Sequence, residues 1–501
     1  MEASDNSQIG FFAPTTGNYN VTVQITGAPT ECSFAAKTIN VADPNANSGV
    51  VRLRTVPSPT IAPPQETVIQ IQGGGDYTRN IALDSGIGLN ATVRDGSTGI
   101  PAYVKLMPVS APAAFTEVFA SSTGTFSVRL LGQVHNVLVI PTTTNLAPKL
   151  LTWMPGVTTF TVGGGTVVSG IVRAPNGTGL GGAKVQLFGG VVPSTLGTTA
   201  GDGTFSVRSD FPANTPITVK VTPPSTSGLP RLETTGTLDL GQSVVVAYAN
   251  TLQICNMGGN AVQRGGVGQA NAQVTFVGTL AGASGTVTTG ATSLNATGTA
   301  RIAAIANGSG VLQAVNVPRS SALSAVVSIS PTDWAVDPVD TSACTAQTIV
   351  APAQIVRTGV TKKDAATTLD GVRVEATPIG ALALADAQPV VATSSGGGNF
   401  SIALASGGTY DVRFIDPLAR AAPLPVLNTA PAGVPATATL PKALTISGFV
   451  TASGTTNPIA GASIQILCAG CSGIDASRPI AQTATDVNSY YSIAVPDPGT
   501  M

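Results

Sequence analysis

The sequence predicts an all-β chain: a tandem array of small β-sandwich domains forming an extended rod. Three observations carry this. Only 10% of the 501 residues are charged, against roughly 25% in an ordinary soluble chain. Gly (57) and Pro (36) make up about a fifth of the chain, so β-branched runs are cut into short strands by turn residues. Similar strand texts also recur along the chain, in units of roughly 80–100 residues, the size of one sandwich.

The opening element reads Val167-Val168-Ser169-Gly170-Ile171-Val172, Ile355-Val356-Arg357-Thr358-Gly359-Val360 and Leu444-Thr445-Ile446-Ser447-Gly448-Phe449-Val450. Apolar and polar residues alternate, as in a half-buried strand. After a turn comes a second strand: Gly182-Ala183-Lys184-Val185-Gln186-Leu187, Gly371-Val372-Arg373-Val374-Glu375-Ala376 and Gly461-Ala462-Ser463-Ile464-Gln465-Ile466. Its period of two places Val185, Leu187, Val372, Val374, Ile464 and Ile466 on buried faces.

A third element is a turn into an aromatic strand: Gly124-Thr125-Phe126-Ser127-Val128, Asp202-Gly203-Thr204-Phe205-Ser206-Val207 and Gly398-Asn399-Phe400-Ser401-Ile402. Ser489-Tyr490-Tyr491-Ser492-Ile493 is a weaker copy. A fourth strand follows in Ile217-Thr218-Val219-Lys220-Val221 and Tyr410-Asp411-Val412-Arg413-Phe414. Short strands at regular spacing between Gly and Pro turns indicate sandwiches. The opening strands set the expected domains: 86–164, 165–250, 251–352 (divergent) and 353–442, flanked by partial sandwiches at 1–85 and 443–501.

These motifs resemble the carboxypeptidase regulatory-like domain, a transthyretin-like, Ig-like β-sandwich with a strand ending in Gly, a Gly-Ala-x-Val strand and a turn into Gly-x-Phe-Ser. Residues 165–250 and 443–501 match best, 353–442 fairly well and 86–164 loosely; 251–352 departs most, keeping only Asn271-Ala272-Gln273-Val274-Thr275-Phe276. The resemblance implies accessory or structural modules of secreted and surface proteins, and it carries no catalytic residues.

Both end segments read as half-modules. Gly10-Phe11-Phe12-Ala13-Pro14 and Asn18-Tyr19-Asn20-Val21-Thr22-Val23 parallel the span from Phe400 to Phe414, with no opening strand before them. The last module stops after Tyr491-Ser492-Ile493-Ala494-Val495. A half sandwich leaves backbone edges unpaired and a core face bare. Two readings are open: a piece of a longer polypeptide, or a subunit whose C-terminal half-module is completed by the N-terminal half of the next, a head-to-tail contact that builds a filament.

Five cysteines stand in non-metal spacings. Cys255, in the first strand of its module, and Cys344, near the start of its last, are expected to form a disulfide, with two buried thiols as the alternative. Cys32 sits in similar text, Glu31-Cys32 before Thr38-Ile39-Asn40-Val41, and is expected to be unpaired or intermolecular. Cys468-Ala469-Gly470-Cys471 follows a strand and enters a Ser/Gly loop. A redox CxxC needs a helix N-terminus and zinc needs two more ligands, so Cys468 and Cys471 are expected as a loop disulfide. Such bonds belong to an oxidising compartment.

No chemistry emerges. The single histidine, His135, lies in a strand-like run, and no Gly-x-Ser-x-Gly elbow accompanies it. Asp95-Gly96 and Asp202-Gly203 are turn dipeptides. Gly163-Gly164-Gly165 and Gly396-Gly397-Gly398 lack the Lys-Ser/Thr of a phosphate loop. Lys362-Lys363-Asp364 reads as a solvated turn, and Trp153 and Trp334 are too isolated to form a sugar-stacking platform. A net charge of −1 without a basic block argues against nucleic acid, and no apolar run reaches 18 residues. Met1-Glu2-Ala3-Ser4-Asp5 is polar where an export signal would sit, so a signal is expected to have been removed or to lie upstream.

The expected function is therefore a non-catalytic, secreted or cell-surface structural protein without cofactor: a stalk, adhesin shaft or filament subunit. The expected partners are a second copy or a surface glycan or protein. The alternatives are a glycan- or protein-binding adhesin module and the accessory tail of a larger secreted hydrolase. Six modules in line, each roughly 30–40 Å long at about 3.3 Å per strand residue, would give a rod of roughly 200 Å.

Overall fold

The computed structural model describes residues 48–72, 77–110, 112, 114–212, 214–418, 420–453, 455, 457–468 and 479–496, together with the short strands Glu2–Ala3, Ile9–Gly10, Gly17–Val21 and Lys37–Val41. The described residues form an all-β array built around five hydrophobic cores.

The module at 355–440 shows the plan. Its strands run, in chain order, Ile355–Lys362, Arg373–Ile379, Val390–Thr393, Asn399–Leu404, Thr409–Ile415, Leu424–Thr429 and Thr437–Thr439. The first, fourth and seventh form one sheet, with the seventh parallel to the first. The other four form the facing sheet, in the order third, second, fifth, sixth. Alternation decides what fills the gap: Val374, Ala376, Phe400, Ile402, Val412 and Phe414 are buried. The module at 87–162 repeats this plan, from Ile87–Asp95 to Thr159–Val162, as does the one at 166–248, from Thr166–Arg173 to Val244–Tyr248.

The recurring Gly of the opening strand now has a physical reason. Gly170 pairs with Phe205 and Gly359 with Phe400. A Cβ on Gly170 would lie 2.2 Å from the Val244 carbonyl oxygen and 2.5 Å from the Phe205 ring. The glycine lets the seventh strand approach while the aromatic ring of the fourth covers the gap.

The third module, 254–350, is joined to both of its neighbours. Its hairpin joins both sheets of the preceding module: Gly285–Thr289 pairs with Val244–Tyr248, and Thr292–Ile305 pairs with Arg231–Thr237. The cause is one 14-residue strand whose inward residues serve two cores, Ala296 in the second module and Ala300 and Ile302 in the third. On its other side, Val277, Val326 and Val336 are buried in the core of the fourth module. A boundary near 251 therefore separates two cores that one strand of the third module spans.

The largest correction concerns the ends. The segments expected as two separate half-modules build one sandwich. Ala443–Ala452, Ser463–Cys468, Pro479–Ala484 and Tyr490–Pro496 fill its first four positions. Ser48–Val56 takes the fifth position, antiparallel to Ser463–Cys468, and Gln65–Gln72 the sixth. Tyr77–Thr78 and Ile81–Leu83 take the seventh, parallel to Ala443–Ala452. The segment that supplies the late half is thus 48–83 rather than 9–22; Gly17–Val21 pairs instead with Lys37–Val41. Val51, Leu53 and Thr55 are buried in alternation with Arg52 and Arg54, and Val51 and Leu53 share a core with Ile464 and Ile466.

Candidate functional site

The closing sandwich and its junction to the next module are the most unusual construction in the chain. Its core joins Val51, Leu53, Ala62, Ile81 and Leu83 to Leu444, Ile446, Val450, Ile464, Ile466, Tyr491, Ile493 and Val495. Leu53 and Leu83 are each 1% exposed. Polar links fix the register. The Tyr491 hydroxyl donates to the Arg79 carbonyl at 2.7 Å, and the Phe449 amide donates to Asn80 Oδ1 at 3.1 Å. The Arg79 amide donates to the Ser447 carbonyl at 2.7 Å. Gly448 faces the same close approach as Gly170: a Cβ there would lie 2.2 Å from the Arg79 carbonyl oxygen. Tyr491 takes the place that Phe205 and Phe400 hold elsewhere, opposite that glycine. Burial pushes its phenol pKa up to about 12.

Residues 84–86 then lead into the strand Ile87–Asp95. Gln65 ties this junction to the closing sandwich, donating through Nε2 to the Asp84 carbonyl at 2.9 Å and accepting the Asp84 amide at 3.2 Å. Arg129 ties it to the following module, its guanidinium donating to the carbonyls of Ser85 and Gly86. Residues 163–165 are built the same way. Arg208, at the same place in its own fourth strand, donates to the Gly164 carbonyl at 3.0 Å. Gly86 and Gly165 both hold φ near +60° (65° and 59°), each with its Cβ position against the carbonyl of the last residue of that fourth strand, Leu130 or Ser209.

These arginines were missed in the sequence, although Thr125-Phe126-Ser127-Val128-Arg129 and Thr204-Phe205-Ser206-Val207-Arg208 carry them in identical text. The strands 48–72 were missed as well. Val51-Arg52-Leu53-Arg54-Thr55 has the alternation of Ile217-Thr218-Val219-Lys220-Val221 and could have been matched to it.

Cys255 and Cys344 are joined by a disulfide with Cα atoms 5.3 Å apart. The strand logic differs from expectation. Ile254–Asn256 pairs with Asn316–Pro318, and the last strand, Ile349–Val350, pairs with Val262–Arg264. Cys344 reaches its partner from a turn, at φ 53°. Cys32 and Cys471 lie outside the described residues. Cys468 ends a described strand, but its side chain lies outside the description.

His135 is 1% exposed and sits edge-on to Trp153, with ring centroids 5.3 Å apart. Burial holds its ring below the usual imidazole range, and the contact of Nδ1 with the Gln133 carbonyl at 2.8 Å pulls the other way. Trp153 is core, its Nε1 donating to the Val157 carbonyl at 3.0 Å. Trp334 is half-buried beside the fourth module's core. Asp364 accepts the amides of Ala366 and Thr367, and Asp202 accepts that of Thr204; both cap turns. An open groove of about 780 Å³ beside Thr358, Val391, Ser395 and Ser401 is lined by no acid, base, His or Cys. Among the described residues no three His, Cys, Asp or Glu side chains group as metal ligands, and no helix is long and apolar enough to cross a membrane.

No family model matches the chain. No curated protein matches it either. Among solved structures it is similar to the Bacillus anthracis TIE protein, at 11% identity and a TM-score of 0.15 over 80% of this chain and 74% of that one. It is similar to a Streptococcal ancillary pilin at 11% identity and a TM-score of 0.15, over 71% and 98% of the two chains. The two B repeat units of the collagen binding protein of Staphylococcus aureus follow at 12% identity and 0.13, over 66% and 93%.

Proposed function

We propose that this chain is a non-catalytic extracellular structural protein, a surface stalk, shaft or filament subunit, assembled from modules of the carboxypeptidase regulatory-like kind. The observation that carries the reading is the continuity of its cores. Short linkers such as 84–86 and 163–165 are clamped by Arg129 and Arg208, and the second, third and fourth modules share sheets or core residues. Such construction transmits force from core to core and leaves few free hinges. The Cys255–Cys344 disulfide fits an oxidising compartment. Low charge suits close contact with a second copy or with a surface glycan or protein, because few ions must be desolvated.

The test is immunogold electron microscopy of intact producing cells, with protease shaving as its companion. Gold on surface appendages, together with loss of the epitope on shaving, is the expected result. An epitope that stays protected until the cells are lysed would refute the reading.

A further inference from the structure

We propose that residues 48–83 are a transferable strand set, donated by one copy of this chain to the C-terminal half-module of another, so that copies join head to tail through complete sandwiches. This deepens the structural reading above and rests on it.

Three observations carry the proposal. First, the closing sandwich has the same seven positions as the modules at 87–162 and 355–440. Positions one to four come from 443–496 and positions five to seven from 48–83. The division falls between the fourth and fifth strands, where the other modules have only a turn, as at 405–408 between Asn399–Leu404 and Thr409–Ile415.

Second, the donated strands enter the next module through an ordinary junction. Residues 84–86 and 163–165 are equal in length, end in a glycine at φ near +60° and are held by equivalent arginines. The step from the closing sandwich to module 87–162 therefore matches the step from 87–162 to 166–248. Third, among the described residues the hydrogen bonds that tie 48–83 to the rest of the chain include Tyr491 to Arg79, Arg79 to Ser447 and Arg129 to Ser85, which reach 443–496 and module 87–162. None of these contacts depends on whether the two partners belong to one chain or to two.

Closed monomer and open array thus bury the same core and differ in local concentration. Short flexible tethers present an effective concentration on the order of millimolar; here the folded array 87–440 is the tether and its geometry sets the value. Closure within one chain dominates in dilute solution, and donation between chains takes over as protein approaches that concentration. Exchange starting from the closed form must first expose Leu53, Ile81 and Leu83, so assembly belongs to folding. The resulting array would have five modules per subunit, an axial repeat of roughly 150–200 Å.

The experiment uses the full chain with Cys32→Ser, Cys468→Ser and Cys471→Ser, keeping the Cys255–Cys344 disulfide. Val56 and Ser463 are directly opposed across the donated strand. One preparation carries Val56→Cys, a second carries Ser463→Cys, and a third carries both. The first two are unfolded together, refolded at concentrations from about 1 µM to about 1 mM around the expected effective molarity, and oxidised. A disulfide between the two preparations, identified by mass, can form only across chains. The proposal predicts that this heterodimer rises at least tenfold over the series, while the double variant shifts from a circular monomer to a ladder. A circular monomer at every concentration, with no heterodimer, overturns donation between copies and leaves the structural reading standing. No specific disulfide in any preparation also overturns the proposal, because the pairing of 48–56 with 463–468 would then be wrong.

Discussion

Replacing Leu53 by Ala tests whether two segments almost 400 residues apart share one core. Leu53 lies opposite Ile466 in the sheet and is 1% exposed. A buried Leu→Ala change costs roughly 2.7–5 kcal/mol, depending on how far the cavity collapses. At about 3 kcal/mol, the open population of the closing sandwich rises on the order of 100-fold. Hydrogen exchange followed by mass spectrometry reads this directly. Amides of 444–450 and 491–495 should lose about 100-fold in protection, as should those of 51–55, while 204–209 and 399–404 keep theirs, since local openings are confined to contiguous units. Val68→Ala, at a position 65% exposed, serves as the control and should change little. The reasoning is refuted if Leu53→Ala speeds exchange in 51–55 and leaves 444–450 and 491–495 unchanged.

Replacing both Cys255 and Cys344 by Ser removes a cross-link spanning 89 residues; chain entropy puts the loss at about 4–5 kcal/mol. Calorimetry should show a lowered transition that includes the third module and, because cores are shared, its neighbours. Gly170→Ala places a Cβ 2.2 Å from the Val244 carbonyl oxygen and should cost about 1–3 kcal/mol, read as a lower denaturation midpoint. Two pH limits follow from buried rings. His135 has a folded pKa held down by burial; the unfolded chain takes up a proton near pH 6.5 and the native one does not, so the first module should lose stability as pH falls below about 6.5. Tyr491 keeps its proton to about pH 12, whereas the unfolded chain releases it near 10. Stability of the closing sandwich should therefore be level below about pH 10 and fall between there and about 12. Circular dichroism titration of the wild type and of Tyr491→Phe checks the second limit, and Phe should lessen the alkaline decline, part of which remains because burial also pushes up the phenols of Tyr248 and Tyr410.

The sequence reported most plainly what repeats locally. Opening strands, the Gly-Ala strands and the Phe-Ser strands were legible because their period of two and their flanking turns lie within a dozen residues. The glycine at 170, 359 and 448 was visible as a motif, but its cause, a parallel strand some 75 residues onward or far back in the chain, was not. Pairing between 48–83 and 443–496 is the extreme case. Each half shows an apolar face, and nothing local states which other half covers it. The aromatic run near Tyr19 resembled a late half more closely than Val51-Arg52-Leu53 did, although the latter has the cleaner alternation. The shared hairpin of the third module was hidden for another reason. A 14-residue strand that turns its inward residues toward two cores reads in sequence as one long strand of one module.

The central claim is that residues 48–83 complete the sandwich of 443–496. It is tested most directly by placing a site-specific protease sequence at 84–86 in the full chain, cutting it under native conditions and passing the product through a sizing column. The account predicts that the fragment carrying 48–83 co-elutes with the remainder and separates only in denaturant, because Val51, Leu53, Ile81 and Leu83 stay buried against Ile446, Ile464 and Ile466. Release of that fragment in native buffer, with the rest of the chain still folded, would contradict it.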